Sequence, residues 1–266
     1  MPENNVKGSD KMFYENCMLN RTCKKKGTES CNKYCFPFVV LHGQNSDGGF
    51  WRTTGVPTKY KKCLAGTLPM GKDNPEEYKF VLNYISKVDS VVDEKGVGLF
   101  IYSVPNNENP FGTGTGKTTA AITILNEYVL NAVRRHLRGE KIIKHNPALF
   151  IKGSELQNKY NAQFRGSMES QQNASDSFYK TKERMKKVNL LVIDDIAIRG
   201  ITEAFENELY EIIDYRATEG KATIFTSNLP LKDVAEIMGQ RIASRIDGMT
   251  IPLAIKGKDY RKGGLF

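Results

Sequence analysis

Lys117 and Thr118 close a glycine-rich turn, GTGTGKTT from Gly112 to Thr119, set between the apolar run GLFIYSV and a long helical pattern. A strand that runs into such a turn and then into a helix presents backbone N–H groups, an ammonium and a hydroxyl to one anion. The ligand this chemistry suits is a nucleoside triphosphate with its magnesium ion. Gly112, Gly114, Thr115, Gly116, Lys117, Thr118 and Thr119 are therefore candidate ligands for ATP, with Thr118 also on Mg2+. The spacing has one flaw, because Phe111 stands where the usual pattern has its first glycine. The segment from Val104 to Thr115 is also longer than a minimal phosphate loop and is punctuated by Pro105 and Pro110. Nothing in the sequence explains that extra length.

A second set of residues supplies what hydrolysis needs. The run NLLVIDDI ends in Asp194 and Asp195, as expected of a buried parallel strand whose C-terminal end reaches the site. Asp194 is the candidate magnesium ligand and Asp195 the candidate for polarising the attacking water. Asn228 ends the next apolar run, ATIFTSN, where an amide is placed to hold that water or the γ-phosphate. Arg241 and Arg245, in GQRIASRI, lie four residues apart on one helical face and are candidates to reach the nucleotide of a neighbouring subunit. Arg261, in KDYRKG, is a candidate contact in cis.

A third set lies near the start of the chain. Cys17, Cys23, Cys31 and Cys35 are separated by five, seven and three residues in a segment rich in Lys, Asn and Gly. Four thiolates offer a closed tetrahedral site for structural Zn2+, which supplies folding energy that so little apolar content does not. His42 is an alternative fourth ligand, and free thiols are the simpler reading. Cys63 stands apart and reads as a small buried side chain. Lys24, Lys25 and Lys26 with Phe36, Phe38, Phe50, Trp51 and Arg52 either stack on single-stranded nucleic acid or form the small core of this module.

These residues need elements to position them. The runs GLFIYSV, ALFIKG, NLLVIDDI, ATIFTSN and MTIPLAIK read as strands, and helical patterns fall between them. Tyr78, Val81, Leu82, Ile85 and Val88 mark a helix from Pro75 to about Val92. Ile122, Leu125, Val129, Ala132 and Val133 mark another, which stops at Gly139. Residues 154–187 are polar and helical with a break around Gly166 to Ser175. Their Lys159, Arg165, Lys180, Lys182, Arg184, Lys186 and Lys187 either follow a phosphate backbone or form a solvated face. The fold class is α/β with a parallel five-stranded sheet. The expected division is a cysteine-rich module over 1–55 and an ATPase domain over 56–266. With 39 Lys and Arg against 30 Asp and Glu, the chain carries a net charge of +9, which favours an anionic partner. No apolar run is long enough to span a membrane, and the start has no signal-peptide pattern, so a cytoplasmic location is expected.

In order and spacing, GKTT, LLVIDD, FTSN, the SRI segment and the terminal DYR resemble the AAA+ ATPases of the DnaC/DnaI type, the bacterial and phage replicative helicase loaders. The resemblance covers about residues 55–266, and GVPTKY is similar to the short motif that leads into the family's ATPase core. It implies that Lys117 and Thr118 belong to Walker A, Asp194 and Asp195 to Walker B, Asn228 to sensor 1 and Arg261 to sensor 2. Arg245, or Arg241, is then the arginine finger. It also implies ATP, Mg2+ and Zn2+ as cofactors, a replicative DNA helicase and single-stranded DNA as partners, and self-association through the ATPase domain. By the same resemblance the cysteine module contacts the helicase. Asp195 stands where many AAA+ proteins carry Glu, so slow turnover is expected. The alternatives are an IstB-type transposition ATPase and an adaptor in which nucleotide is structural; a small-molecule kinase fits the SRI and DYR segments poorly.

Overall fold

The computed structural model describes residues 15, 17–20, 23–44, 48–197 and 200–260. All five expected strands form: β1 (Gly98–Ser103), β2 (Ala148–Lys152), β3 (Leu190–Asp194), β4 (Thr223–Ser227) and β5 (Thr250–Ile255). They make one parallel sheet in the order β2-β3-β4-β1-β5. Their apolar runs are nearly continuous because both faces of the inner strands are covered. Pro252, which has no N–H for a ladder, sits in the edge strand β5, where one side needs no partner.

Alternation along each strand divides the core in two. Leu99, Ile101, Val192 and Ile224 face the helix that follows the phosphate loop, α4 (Lys117–Leu137), through Ile122, Leu125 and Val129. Phe100, Leu191, Ile193 and Phe225 face the other layer, built by α5 (Gly153–Ala162), α6 (Met168–Lys187), α7 (Glu203–Thr218), α8 (Leu231–Met238) and α9 (Gln240–Met249). Thr202 caps α7 by accepting from the Phe205 N–H at 3.2 Å, and Ser167 caps α6 in the same way from Ser170. The break in the polar stretch falls at residues 163–167, with Gly166 left-handed; 168–175 are helical. The helix α3 (Pro75–Ser86) stops earlier than its periodicity suggests, and a single π-helical turn covers Ser90–Glu94.

The N-terminal segment adds α1 (Phe36–His42) and α2 (Gly49–Thr53). Met18, Leu19, Leu41 and Trp51 join the same apolar cluster as the α4 face of the sheet. Thr54 extends the sheet edge by accepting from the Phe150 N–H at 2.7 Å. The next residue, Gly55, lies so close to β2 that a Cβ on it would stand 2.3 Å from the Phe150 carbonyl oxygen. Phe38 and Trp51 are buried, so of the two readings of the aromatics a core role holds for these two. Cys63 is half-buried.

Three cations of the polar stretch are committed to internal contacts and do not form a free basic track. Lys182 is buried and pairs with Glu208 at 2.6 Å and Glu211 at 2.5 Å; Lys186 also pairs with Glu211, and Arg184 donates to the Thr53 carbonyl.

Arg216 has no solvent exposure. Its guanidinium donates to the carbonyls of Met185, Val188 and Ala222 at 2.7, 2.8 and 2.6 Å and to Thr223 Oγ1 at 2.8 Å, tying the end of α6 to the starts of β3 and β4. Burial pulls its pKa down to about 9, which leaves it charged at neutral pH. We expect Arg216→Ala to destabilise the fold by roughly 3–5 kcal/mol, because it strands several buried carbonyls and opens a cavity. Urea denaturation of the two proteins measures the difference.

Candidate functional site

Three neighbouring strands, in the order β3-β4-β1, bring their C-terminal ends to one edge of the sheet. This places the phosphate loop after β1, Asn228 just past β4 and Asp194 at the end of β3 in one row, the usual ligand position in an open α/β sheet.

Gly116 caps α4 in the left-handed region with φ 98°, and a Cβ built on it would meet nothing within 4 Å. The N-terminus of α4 therefore opens onto free space that its N–H groups can offer to an anion. Lys117 is only 5% exposed. Its ammonium donates to Ser103 Oγ at 2.5 Å, the Gly112 carbonyl at 3.1 Å and Asn228 Oδ1 at 2.7 Å. Thr118 donates to Asp194 Oδ1 at 2.7 Å, which joins the two expected magnesium ligands directly. Thr115 is buried with its hydroxyl 2.9 Å from Ser103 Oγ, so its side chain is taken up by the end of β1. Thr119 is buried in the first turn of α4.

The long segment before Gly112 has an internal structure that the sequence did not disclose. Asn106 and Asn109 form a backbone bridge, and buried Asn109 donates from Nδ2 to the Thr113 carbonyl at 2.7 Å and the Gly257 carbonyl at 3.1 Å. Phe111 projects at the tip, 79% exposed. Gly112, φ 58°, packs against the end of β1, where a Cβ on it would come within 2.7 Å of Ser103 Cβ. The glycine one place late thus serves the close approach to β1.

Asp194 is 2% exposed and accepts a second hydrogen bond, from Thr226 Oγ1 at 2.7 Å. Burial raises its pKa, helped by neighbouring Asp195 and opposed by the two threonine hydroxyls. Asp195 is the only non-glycine residue with positive φ among those described, at 53°, and its N–H donates to Thr226 Oγ1 at 2.9 Å. A left-handed aspartate at a strand end is a small strain, kept where the surroundings hold it. Asp195 and Asn228 line one open cavity of about 220 Å³. A larger cavity, about 1490 Å³, lies away from these strand ends, between α2, residues 141–147 and α6. Size does not select the site here; the convergent polar groups at the strand ends do.

Arg245 and Arg241 are not drawn to this chain's own phosphate loop. Arg245 Nε pairs with Asp214 at 2.7 Å, and Arg241 lies 4.1 Å over the Tyr210 ring, both on α7. Arg261 lies outside the described residues. Sequence reasoning missed Ser103, Thr226 and Asn109. Thr226 shares β4 with Thr223 and Ser227, so its polarity does not single it out; Ser103 and Asn109 carried no signal either.

Cys17, Cys23, Cys31 and Cys35 line one small cavity of about 20 Å³. Among the described residues, however, no three His, Cys, Asp or Glu side chains are arranged to hold a metal ion, so the expected zinc site is not formed in this arrangement. Burial is the main cause that pushes the Cys17 thiol up to about 11; a backbone hydrogen bond opposes it and the other three cysteines add to it. His42 is occupied elsewhere. Its Nε2 accepts from the Met18 N–H at 3.2 Å, its ring packs at a tilt against Phe38, and burial lowers its pKa to about 4.

The raised pKa of Asp194 gives a pH-dependent expectation. A carboxylate whose folded pKa is raised stabilises the fold only while protonated, and that contribution is lost as pH rises through the folded value. Asp194→Asn keeps the Oδ1 acceptor and removes the charge. It is expected to raise the melting temperature near neutral pH, by about 2–4 °C per kcal/mol gained, with the gain shrinking as pH falls. Thermal melts of the nucleotide-free protein across pH check this.

Comparison with known proteins agrees with this geometry. Residues 157–262 match the family described as IstB-like ATP binding protein, a span that includes β3, Asn228, Arg241 and Arg245 but not the phosphate loop. The replicative helicase loader DnaC of Escherichia coli strain K12 is 24% identical over 167 residues, 62% of this chain and 57% of that protein. The chain thus matches little more than half the length of this curated relative. In fold, the chain is similar to a crystal structure of DnaI (TM-score 0.55, 20% identity, 77% of this chain and 93% of that one). It is also similar to one of the DnaC helicase loader (TM-score 0.53, 20% identity, 75% and 100%). The chain thus shares the parallel α/β fold of these two structures, and its residues 157–262 are similar to the IstB-like ATP binding proteins.

Proposed function

We propose that this protein is an ATP-dependent loader that binds a replicative DNA helicase and places it on single-stranded DNA. The observation that carries the reading is the convergence of Lys117, Thr118, Asp194 and Asn228 on one edge of the sheet. The likeness to DnaC and DnaI supports the loader over other uses of such a site.

In this reading the open N-terminus of α4 and the Lys117 ammonium bind the β- and γ-phosphates of ATP. Thr118 Oγ1 and Asp194 would hold Mg2+, which neutralises phosphate charge when bound. Lys117 must exchange part of its contact with Ser103, Gly112 and Asn228 for phosphate oxygens. That release leaves the Asn228 amide available to orient water. Asp195, exposed beside it, is the general base; its side chain is one methylene shorter than Glu, which favours slow turnover and use as a switch.

Arg245 is 49% exposed and held by Asp214 in an ion pair of the sort that is cheap to break. We assign it, with Arg241 beside it, to the nucleotide of a neighbouring subunit, which makes hydrolysis depend on assembly. Arg261 is assigned to this chain's own nucleotide. The four cysteines over the 1–55 module supply a thiolate set of the right number for Zn2+, and their shared cavity supports that fit. With Zn2+ bound, the module would present a fixed surface to the helicase.

The match to the IstB-like family favours a second reading, a transposition ATPase. Co-purification with the cognate replicative helicase, with and without ATP and single-stranded DNA, separates the two. A loader forms an ATP-dependent complex that Lys117→Ala abolishes, whereas no complex under any condition removes the loader reading. Metal analysis is expected to find about one zinc per chain, and a chelator should unfold the module by circular dichroism. Zinc near zero with an unchanged fold would leave free thiols.

A further inference from the structure

The segment that follows β5 returns across the sheet edge and lies on the phosphate loop. It is attached through Lys256, Gly257, Asp259 and Tyr260. Asn74, just before α3, exchanges two hydrogen bonds with Lys256: Nδ2 donates to its carbonyl at 2.7 Å, and Oδ1 accepts from its N–H at 2.8 Å. Asn109 donates to the Gly257 carbonyl. Asp259 accepts from Thr113 Oγ1 at 3.3 Å, and the Tyr260 N–H donates to the Gly114 carbonyl at 3.2 Å. The Tyr260 hydroxyl donates to Asp73 at 2.5 Å.

The contact with the loop is close enough to dictate its sequence. A Cβ built on Gly114 would lie 1.7 Å from Asp259 Oδ1, and Gly114 has φ 66°. Gly114 is therefore bare because Asp259 is seated against it, and its carbonyl is drawn outward to Tyr260. A phosphate loop binds anions through N–H groups that all point inward, which requires its carbonyls to find partners on the outside. Asn109 meets the Thr113 carbonyl and Tyr260 meets that of Gly114. The loop is long before Gly112 because it carries Asn109, one of these outside partners.

We propose that Asp259 and Tyr260 are positioning residues for nucleotide: the segment over 256–260 is a strap that holds Thr113 and Gly114 in the anion-binding conformation. The inference rests on the reading of this loop as the ATP site. One backbone hydrogen bond and two that involve side chains join the segment after β5 to the loop, so strap and nucleotide stabilise each other, and a strap that is pulled away weakens the site.

Binding of a fluorescent ATP analogue to the full chain tests this. Asp259→Ala removes the acceptor for Thr113 and is expected to weaken affinity about fivefold, the effect of one lost hydrogen bond. Asp259→Asn keeps that acceptor and should restore affinity to within about twofold of the parent. Thr113→Val should weaken binding as Asp259→Ala does, and the double variant no further, since both remove one interaction. Tighter binding by Asp259→Asn than by the parent would overturn the proposal, because Asp259 would then act as a charge that repels phosphate. Additive losses, or unchanged affinity in Asp259→Ala, would overturn it too. If the parent itself fails to bind the analogue, the ATP-site reading fails instead; Lys117→Ala is the control for that outcome. Melting temperatures of the nucleotide-free variants separate loss of fold from loss of affinity.

Discussion

Burying the Lys117 ammonium is the constraint on which this site depends. A cation taken out of water needs several oxygens at once, and Lys117 finds them on three separate elements: Ser103 at the end of β1, the carbonyl of Gly112 in the loop, and Asn228 beyond β4. No one of these positions the lysine alone. They meet because β4 lies between β3 and β1, so the order of strands in the sheet, far from the order in the chain, decides where the charge goes. The same order puts Asp194 within reach of Thr118 on α4 and of Thr226 on the next strand.

The two ends of the sheet are held by different means. At the N-terminal ends of β3 and β4, Arg216 collects backbone carbonyls and makes a rigid base without any contribution to chemistry. At the C-terminal ends the polar groups face one another across a site with room for a ligand, and the cost appears locally as a buried carboxylate with a raised pKa and a left-handed Asp195. Strain and desolvation of this kind persist where the frame around them is over-determined. The N-terminal segment adds to that frame, since Leu41 and Trp51 pack into the core on the α4 face of the sheet and Thr54 pairs with its edge.

The strands were legible because each is a short apolar run bounded by polar residues, and such runs are buried on both faces in a parallel sheet. The placement of Lys117, Thr118 and the Asp pair at element ends was legible because a glycine turn leads into the first two and an apolar run ends on the others. Thr226 and Ser103 were not, since each acts on a group of another element, and Asn109 was not, since it ties the nearby Thr113 to the distant Gly257 with no spacing to mark it. The contacts of three cations in the basic stretch were hidden for a related reason. Lys182, Lys186 and Arg184 look like a solvated face until Glu208, Glu211 and the Thr53 carbonyl, brought up by other elements, claim them. His42 looked like a spare metal ligand, yet its ring completes a buried cluster with Phe38 and Trp51.

The amino-acid sequence alone determined the kind of sheet and the element that carries each principal polar residue, because these follow from local periodicity and from residue type beside a glycine turn. Tertiary structure alone decided which groups meet. It placed Asn228 against Lys117, held Arg245 on Asp214, gathered four thiols around one cavity without ligating geometry, and laid Asp259 on Gly114. The physical reason is that hydrogen bonds and ion pairs depend on separations of a few ångströms between residues up to more than a hundred positions apart, and only the packed sheet sets those separations.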